Sequence, residues 1–157
     1  MQLPLQRLGS GQAKRRQGGL RHLEVKDYQP LVKVVNAWFG GRHVSYLLQR
    51  SFFEHFRPTS FAIEKEGEIL GFLIGYRSQT ITNKAYIHFV AINPDYQGQG
   101  IGRRLYQHFF EGAIKLGCTE VSAITSPVNK KSIAFHTHMG FEILPGDAEV
   151  DAIPNFV

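Results

Sequence analysis

Val90-Ala91-Ile92-Asn93-Pro94-Asp95-Tyr96-Gln97-Gly98-Gln99-Gly100-Ile101-Gly102 is the stretch on which the reading of this chain turns. An apolar run with strand character stops at Asn93-Pro94, a glycine-rich turn follows, and an amphipathic helical pattern begins. Glycines let the backbone turn tightly and bring several N–H groups toward one point. The start of a helix adds N–H groups without intrahelical partners and a partial positive charge. The combination is a candidate site for a phosphate or pyrophosphate.

Spacing narrows the ligand. A dinucleotide fingerprint needs Gly-x-Gly-x-x-Gly, whereas here Gly98, Gly100 and Gly102 alternate and Arg103 follows. A P-loop needs Gly-Lys-Ser/Thr, which is missing. Gln97, Gly100 and Gly102 instead fit Gln-x-x-Gly-x-Gly. Downstream stands Asn129-Lys-Lys-Ser132-Ile-Ala-Phe135-His136-Thr-His138-Met-Gly140-Phe141. In this order the two stretches resemble the acyl-coenzyme A pyrophosphate loop and the second motif of the GNAT superfamily of N-acetyltransferases. For the loop taken alone, a plain β–α turn is the alternative.

The resemblance spans roughly Leu20 to Leu144 and carries expectations. It implies an α/β fold, the GNAT acyl-CoA N-acyltransferase fold, with a mixed, mostly antiparallel sheet flanked by helices. It implies direct transfer of an acetyl group from acetyl-CoA to a primary amine of a small molecule or protein, with no metal. The main chain at Val90, Ala91 and Ile92 would pair with the pantetheine arm, and the sheet would splay after Ile92 to admit the thioester. Gln97, Gly98, Gln99, Gly100, Ile101, Gly102 and Arg103 would meet the pyrophosphate. Asn129 and Ser132 match positions lining the cofactor, although Asn129 is also a ready helix cap.

An amine nucleophile must be neutral. A lysine-like amine with a pKa of about 10.4 is neutral in only about one part in 10³ at pH 7, a cost of about 4–5 kcal/mol. A general base offsets part of it. His88 is the leading candidate base: it stands on the cofactor strand, two residues before Val90, and imidazole titrates near neutrality. Some arylalkylamine acetyltransferases of the superfamily carry histidine at the matching position; a histidine bonded within the sheet is the competing reading. Tyr86, one strand repeat earlier, is a weaker candidate, since such a tyrosine more often packs. Many members have tyrosine directly after the phenylalanine of the second motif; here His136 follows Phe135 and is the candidate acid. His136 and His138 do not have the i, i+4 spacing of helical metal ligands, and no Cys/His cluster suggests zinc. No nucleophile-elbow motif is present.

With 157 residues and 12% aromatics the chain reads as one globular domain over 20–157. No apolar run approaches the roughly 20 residues of a membrane span. The N-terminus lacks an apolar signal core, so a cytoplasmic location is expected. Cys118, the single cysteine, precedes an apolar strand and reads as a buried, inert thiol. The net charge of +5 is local: Arg7, Lys14, Arg15, Arg16 and Arg21 stand among the first residues without any acid, and the remainder is balanced. A nucleic-acid groove across the fold is therefore not expected. Residues 1–19 read as a flexible basic tail, a solvated extension in preference to a transit or localisation signal.

Periodicity predicts a strand over Leu20–Val25 and a helix carrying Leu31, Val34, Val35 and Trp38, with Asp27 as its cap. A second helix is expected to run from Val44 to Phe56. A hairpin turns at Glu66-Gly67 between Phe61–Glu64 and Ile69–Tyr76. The strand Lys84–Ile92 is expected to show Tyr86, His88, Val90 and Ile92 on one face and Ile87, Phe89 and Ala91 on the other. The helix Gly100–Leu116 is expected to bury Ile101, Leu105, Phe109, Ala113 and Leu116. A strand at Val121–Thr125, a helix from Asn129 to Met139 and a strand at Phe141–Leu144 complete the pattern. The family adds a further strand, which Pro145–Val157 does not resemble; an edge left open there would invite a homodimer. A non-catalytic acyl-CoA sensor of the same fold is the alternative to an enzyme.

Overall fold

A computed structural model describes residues 1–4, 18–126 and 128–144 of the chain. Among these residues six strands form one sheet: β1 (Gln2–Pro4), β2 (Gly19–His22), β3 (Phe61–Lys65), β4 (Glu68–Arg77), β5 (Lys84–Ile92) and β6 (Glu120–Ala123). Their order across the sheet is β1-β6-β5-β4-β3-β2, antiparallel throughout except for the parallel pair β5–β6. Four helices join them: α1 (Tyr28–Trp38), α2 (Arg50–His55), α3 (Ile101–Lys115) and α4 (Lys130–His138). The α/β class and the mixed sheet agree with the sequence.

Alternating side chains build two apolar cores. Ile63, Leu73, Ile87, Leu105 and Phe109 belong to the core under α3. Leu31, Val35, Phe53, Phe72 and Phe89 belong to the core under α1 and α2. Glu66 and Gly67, with φ of 51° and 80°, make the left-handed pair that a two-residue hairpin needs. Arg21 binds Asp27 through both terminal guanidinium nitrogens at 2.8 and 2.9 Å and Glu64 at 2.6 Å, tying β2 to the start of α1 and to β3.

The pairing of β4 and β5 contains the feature that shapes the site. Ile74 opposes Phe89 and Gly75 opposes Ile87, so one step along β4 matches two along β5. His88 is the extra residue of a β-bulge. The bulge flips the alternation: Ala85 and Ile87 lie in the α3 core, but Phe89 and Ala91 lie in the other. Val90 and Ile92 pack against the α3 core. The expected grouping of Tyr86 and His88 with Val90 and Ile92 is corrected accordingly. A Cβ on Gly75 would stand 2.3 Å from Phe109 Cε2, so β4 presses onto α3 opposite the bulge.

Four further expectations change. The helix expected over Val44–Phe56 is a short 3₁₀ turn, Ser45–Leu47, followed by α2. Leu48 is extended between them (φ −94°, ψ 109°) and buried, so the apolar pattern is met by two short pieces rather than one helix. Leu116 is 42% exposed, while Tyr106 and Phe110 are buried because Phe141 covers a second side of α3. The strand expected at Phe141–Leu144 is a single bridge between Glu142 and Gln2. Finally, the flexible tail does not begin at the first residue. Gln2–Pro4 pairs with β6, and Leu3 is buried in the core beneath Gly140. This strand pairs with the outer edge of β6. The expected tail residues 5–17, and Pro145–Val157, lie outside the described residues.

Candidate active site

The glycine turn is braced from below. The Asn93 side chain accepts the Asp95 N–H at 3.0 Å, and the Asn93 N–H donates to Leu70 O at 2.8 Å. Tyr96 donates its hydroxyl to Glu68 at 2.8 Å. Gly98 (φ 77°) and Gly100 (φ 79°) then take left-handed conformations, and a Cβ on either would meet open space. They are required for conformation and for close approach from outside, not for packing. Gly102 differs: a Cβ there would lie 3.4 Å from Phe135 Cζ, so the start of α3 seats against α4.

Among the described residues no protein group accepts a hydrogen bond from the main-chain N–H groups of Gly98 to Arg103. The first intrahelical bond runs from Arg104 N to Gly100 O at 3.0 Å. Gln97, Gly98, Gln99 and Gly100 are exposed, as is Arg103, while Ile101 is buried and anchors the helix. A set of unspent donors at the positive end of a 15-residue helix is what an anionic group needs.

A cleft leads from this turn into the sheet. β5 and β6 pair from Lys84–Glu120 to Ile87–Ala123, and no further. The sheet therefore opens after Ile87, not after Ile92 as the sequence suggested. Beyond it, Phe89 to Ile92 pair with β4 on one side and with no strand among the described residues on the other. The main chain of Val90, Ala91 and Ile92 borders the opening.

His88 stands at the head of this cleft on the side of α2. Its Nε2 lies 2.8 Å from Leu47 O, and its ring packs on Phe52 at 4.5 Å between centroids. A carbonyl only accepts, so Nε2 carries the hydrogen and Nδ1 keeps its lone pair. The ring is thus tethered to a 3₁₀ turn outside the sheet rather than to a partner within it. The break between Ser45–Leu47 and α2 is what turns Leu47 O toward it. Tyr86 packs on Tyr76 at 5.4 Å, and Phe56 and Phe52 continue the row of rings back to His88.

His136 is placed differently from expectation. It is buried, with Nδ1 2.7 Å from Ser132 O and Nε2 2.5 Å from the Tyr106 hydroxyl. Burial holds its pKa below the ordinary value and pushes the Tyr106 phenol well above its own. Both ring nitrogens are committed inside the core, so His136 presents no proton to the cleft. Asn129 caps α4, its Oδ1 accepting the Ser132 N–H at 3.2 Å. Ser132 Oγ bonds Thr125 Oγ1 at 2.9 Å. Thr125, Tyr106, Glu68 and the Leu47 carbonyl escaped sequence reasoning, since each acts through a partner distant along the chain. Cys118 is buried, and burial pushes its thiol pKa up, in keeping with an inert role.

Residues 20–141 match the model of the acetyltransferase (GNAT) family. The [ribosomal protein bS18]-alanine N-acetyltransferase of Escherichia coli K12 is 29% identical over 85 residues, covering 54% of this chain and 55% of that protein. The chain thus spans about half the length of this relative. Ard1 from Thermoplasma volcanium shares the fold with a TM-score of 0.71 at 18% identity, over 83% of this chain and 86% of that one. Diaminobutyrate acetyltransferase EctA from Paenibacillus lautus, solved with L-2,4-diaminobutyric acid and coenzyme A, superposes with a TM-score of 0.62 at 20% identity, over 87% and 77% of the two chains.

Proposed function

The chain belongs to the GNAT acetyltransferase family, and from that premise we propose that it transfers an acetyl group directly from acetyl-CoA to a primary amine. The observation that carries this is the run of N–H groups from Gly98 to Arg103 that are unspent among the described residues, set at the mouth of a cleft with a strand edge that is likewise unpaired among them. The residues present fit the cofactor: Gly98 to Arg103 would hold the pyrophosphate, and Val90 to Ile92 the pantetheine arm. Bound there, acetyl-CoA supplies an acyl carbon activated by a thiolate leaving group comparable to cysteine, with a pKa of about 8.5.

What remains for the protein is to position the amine and take its proton. His88 Nδ1 is the proton acceptor, held in its tautomer by Leu47 O. Tyr86 belongs to the aromatic wall beside it rather than to the proton path. Asn129 fixes the start of α4 along the cleft. The acceptor is a small-molecule or protein amine: the bS18-alanine relative modifies a protein, whereas EctA was solved with a small diamine as its substrate. We place the protein in the cytoplasm, without need of a metal, with Gln2–Pro4 joined to the domain expected over 20–157.

An amine panel with thiol detection of released coenzyme A tests the reading. Turnover is expected with at least one amine, and it should vanish in Gly100→Glu, where a carboxylate would stand at the pyrophosphate site. His88→Ala should be about 10²-fold slower. An unchanged rate and pH profile in that variant would overturn the base assignment. Tight acetyl-CoA binding without turnover on any amine would favour the sensor alternative.

A further inference from the structure

The second motif leaves a question: the position that carries tyrosine in many family members holds His136, and His136 faces the core. The hydrogen-bond chain in front of it answers. His136 Nδ1 stands 2.7 Å from Ser132 O and 3.2 Å from Ser132 Oγ. Because a carbonyl only accepts, Nδ1 carries the hydrogen, and Nε2 then accepts from the Tyr106 hydroxyl at 2.5 Å. Ser132 Oγ is thus approached by an N–H from behind and bonds Thr125 Oγ1 at 2.9 Å. The two hydroxyls share one hydrogen bond and own two protons. Whichever donates to the other, one proton is left without a protein acceptor among the described residues.

The place of this pair matters. Thr125 lies two residues past Ala123, the last residue of β6 paired with β5, so it stands where the cleft opens. Ser132 lies in the first turn of α4, one turn before His136 and on the same side. Both are half-buried. The group an acyl transfer releases is a thiolate, which an O–H donor stabilises as its charge develops.

We propose that the Ser132 hydroxyl, paired with Thr125, donates to the departing sulfur of coenzyme A, with His136 and Tyr106 behind it as positioning residues. This rests on the acetyl-transfer reading above. As the C–N bond forms, the C–S bond breaks and its electron pair leaves on sulfur. The amine proton passes to His88 Nδ1 and on to solvent, and the sulfur takes its own proton from solvent after release. Ser132 lends a hydrogen bond and no proton, because the line behind it ends in Tyr106, which burial keeps protonated.

The test needs no acceptor. The thiol pKa of bound coenzyme A, followed through the ultraviolet absorbance of the thiolate, reports any donor at the sulfur. In Ser132→Ala it is expected to rise by about one unit, the effect of one hydrogen bond to a charged group. Ser132→Thr, which keeps the hydroxyl, should restore it, and His136→Phe should give part of the shift. With an active amine, Ser132→Ala should lower kcat about tenfold with little change in the KM for acetyl-CoA. An unshifted thiol pKa in a Ser132→Ala protein that still binds coenzyme A would sink the proposal alone. No binding of coenzyme A by the native protein would sink both this and the acetyl-transfer reading.

Discussion

His136 shows how one side chain is committed by its surroundings. Its ring bridges Tyr106 and Ser132 inside the core, and burial lowers its pKa below the unfolded value of about 6.5. Between the two pKa values the unfolded chain binds more protons than the folded one, so stability rises with pH. The stability is fully present above about pH 6.5 and is lost as pH falls below it. His108, also lowered chiefly by burial, acts in the same direction. The melting temperature of the native protein should therefore fall between about pH 7 and about pH 5.5, and the slope should flatten in His136→Phe. An identical slope in that variant would show that His136 does not titrate against folding. Little of this could be read along the chain: Phe135-His136 is visible as a motif, but Tyr106, 30 residues away, is not visible as its partner.

The bulge in β5 is where an element acquires function. Inserting His88 into the strand moves its neighbours to new faces and coincides with the end of β5–β6 pairing. Gly75 makes this possible by letting β4 press onto Phe109, where a Cβ would come within 2.3 Å of the ring. Gly75→Ala should therefore destabilise the protein by about 1–3 kcal/mol, as overpacking does. Thermal denaturation measures the cost, and a neutral effect would mean that Phe109 yields freely. The strands flanking Glu66-Gly67 and the long helix α3 were legible because their signals are local, a turn dipeptide and a 3.6-residue period. The bulge was not, since strict alternation is what a sequence pattern assumes and only the pairing with β4 breaks it.

For the molecule as a whole, the first four residues close the sheet. β1 and β2 are the first two strands among the described residues yet lie at opposite ends of the strand order, and β1 sits between β6 and Glu142. It thereby pins both β6, which borders the cleft, and the segment after α4 on its other side. Leu3→Ala should cost about 2 kcal/mol, or a melting temperature lower by roughly 5 °C. Deleting residues 1–4 should also speed amide exchange at Val121 and Ala123 and expose an edge able to pair with a second copy, visible as a dimer in light scattering. Unchanged exchange at those amides would mean that β1 is not what holds β6.

The amino-acid sequence by itself determined the glycine turn, the helix that starts from it, the hairpin and the order of most elements, and through two motifs it indicated the family. These features are written in short windows, where backbone freedom, capping and periodicity act within a few residues. Only the tertiary structure decided that the His88 ring is tethered to Leu47 O while His136 turns inward, that the sheet parts after Ile87, and that Gln2–Pro4 fills the edge beside β6. Each depends on groups distant along the chain competing for one partner or one place in the sheet, and that competition is settled by packing rather than by neighbours in sequence.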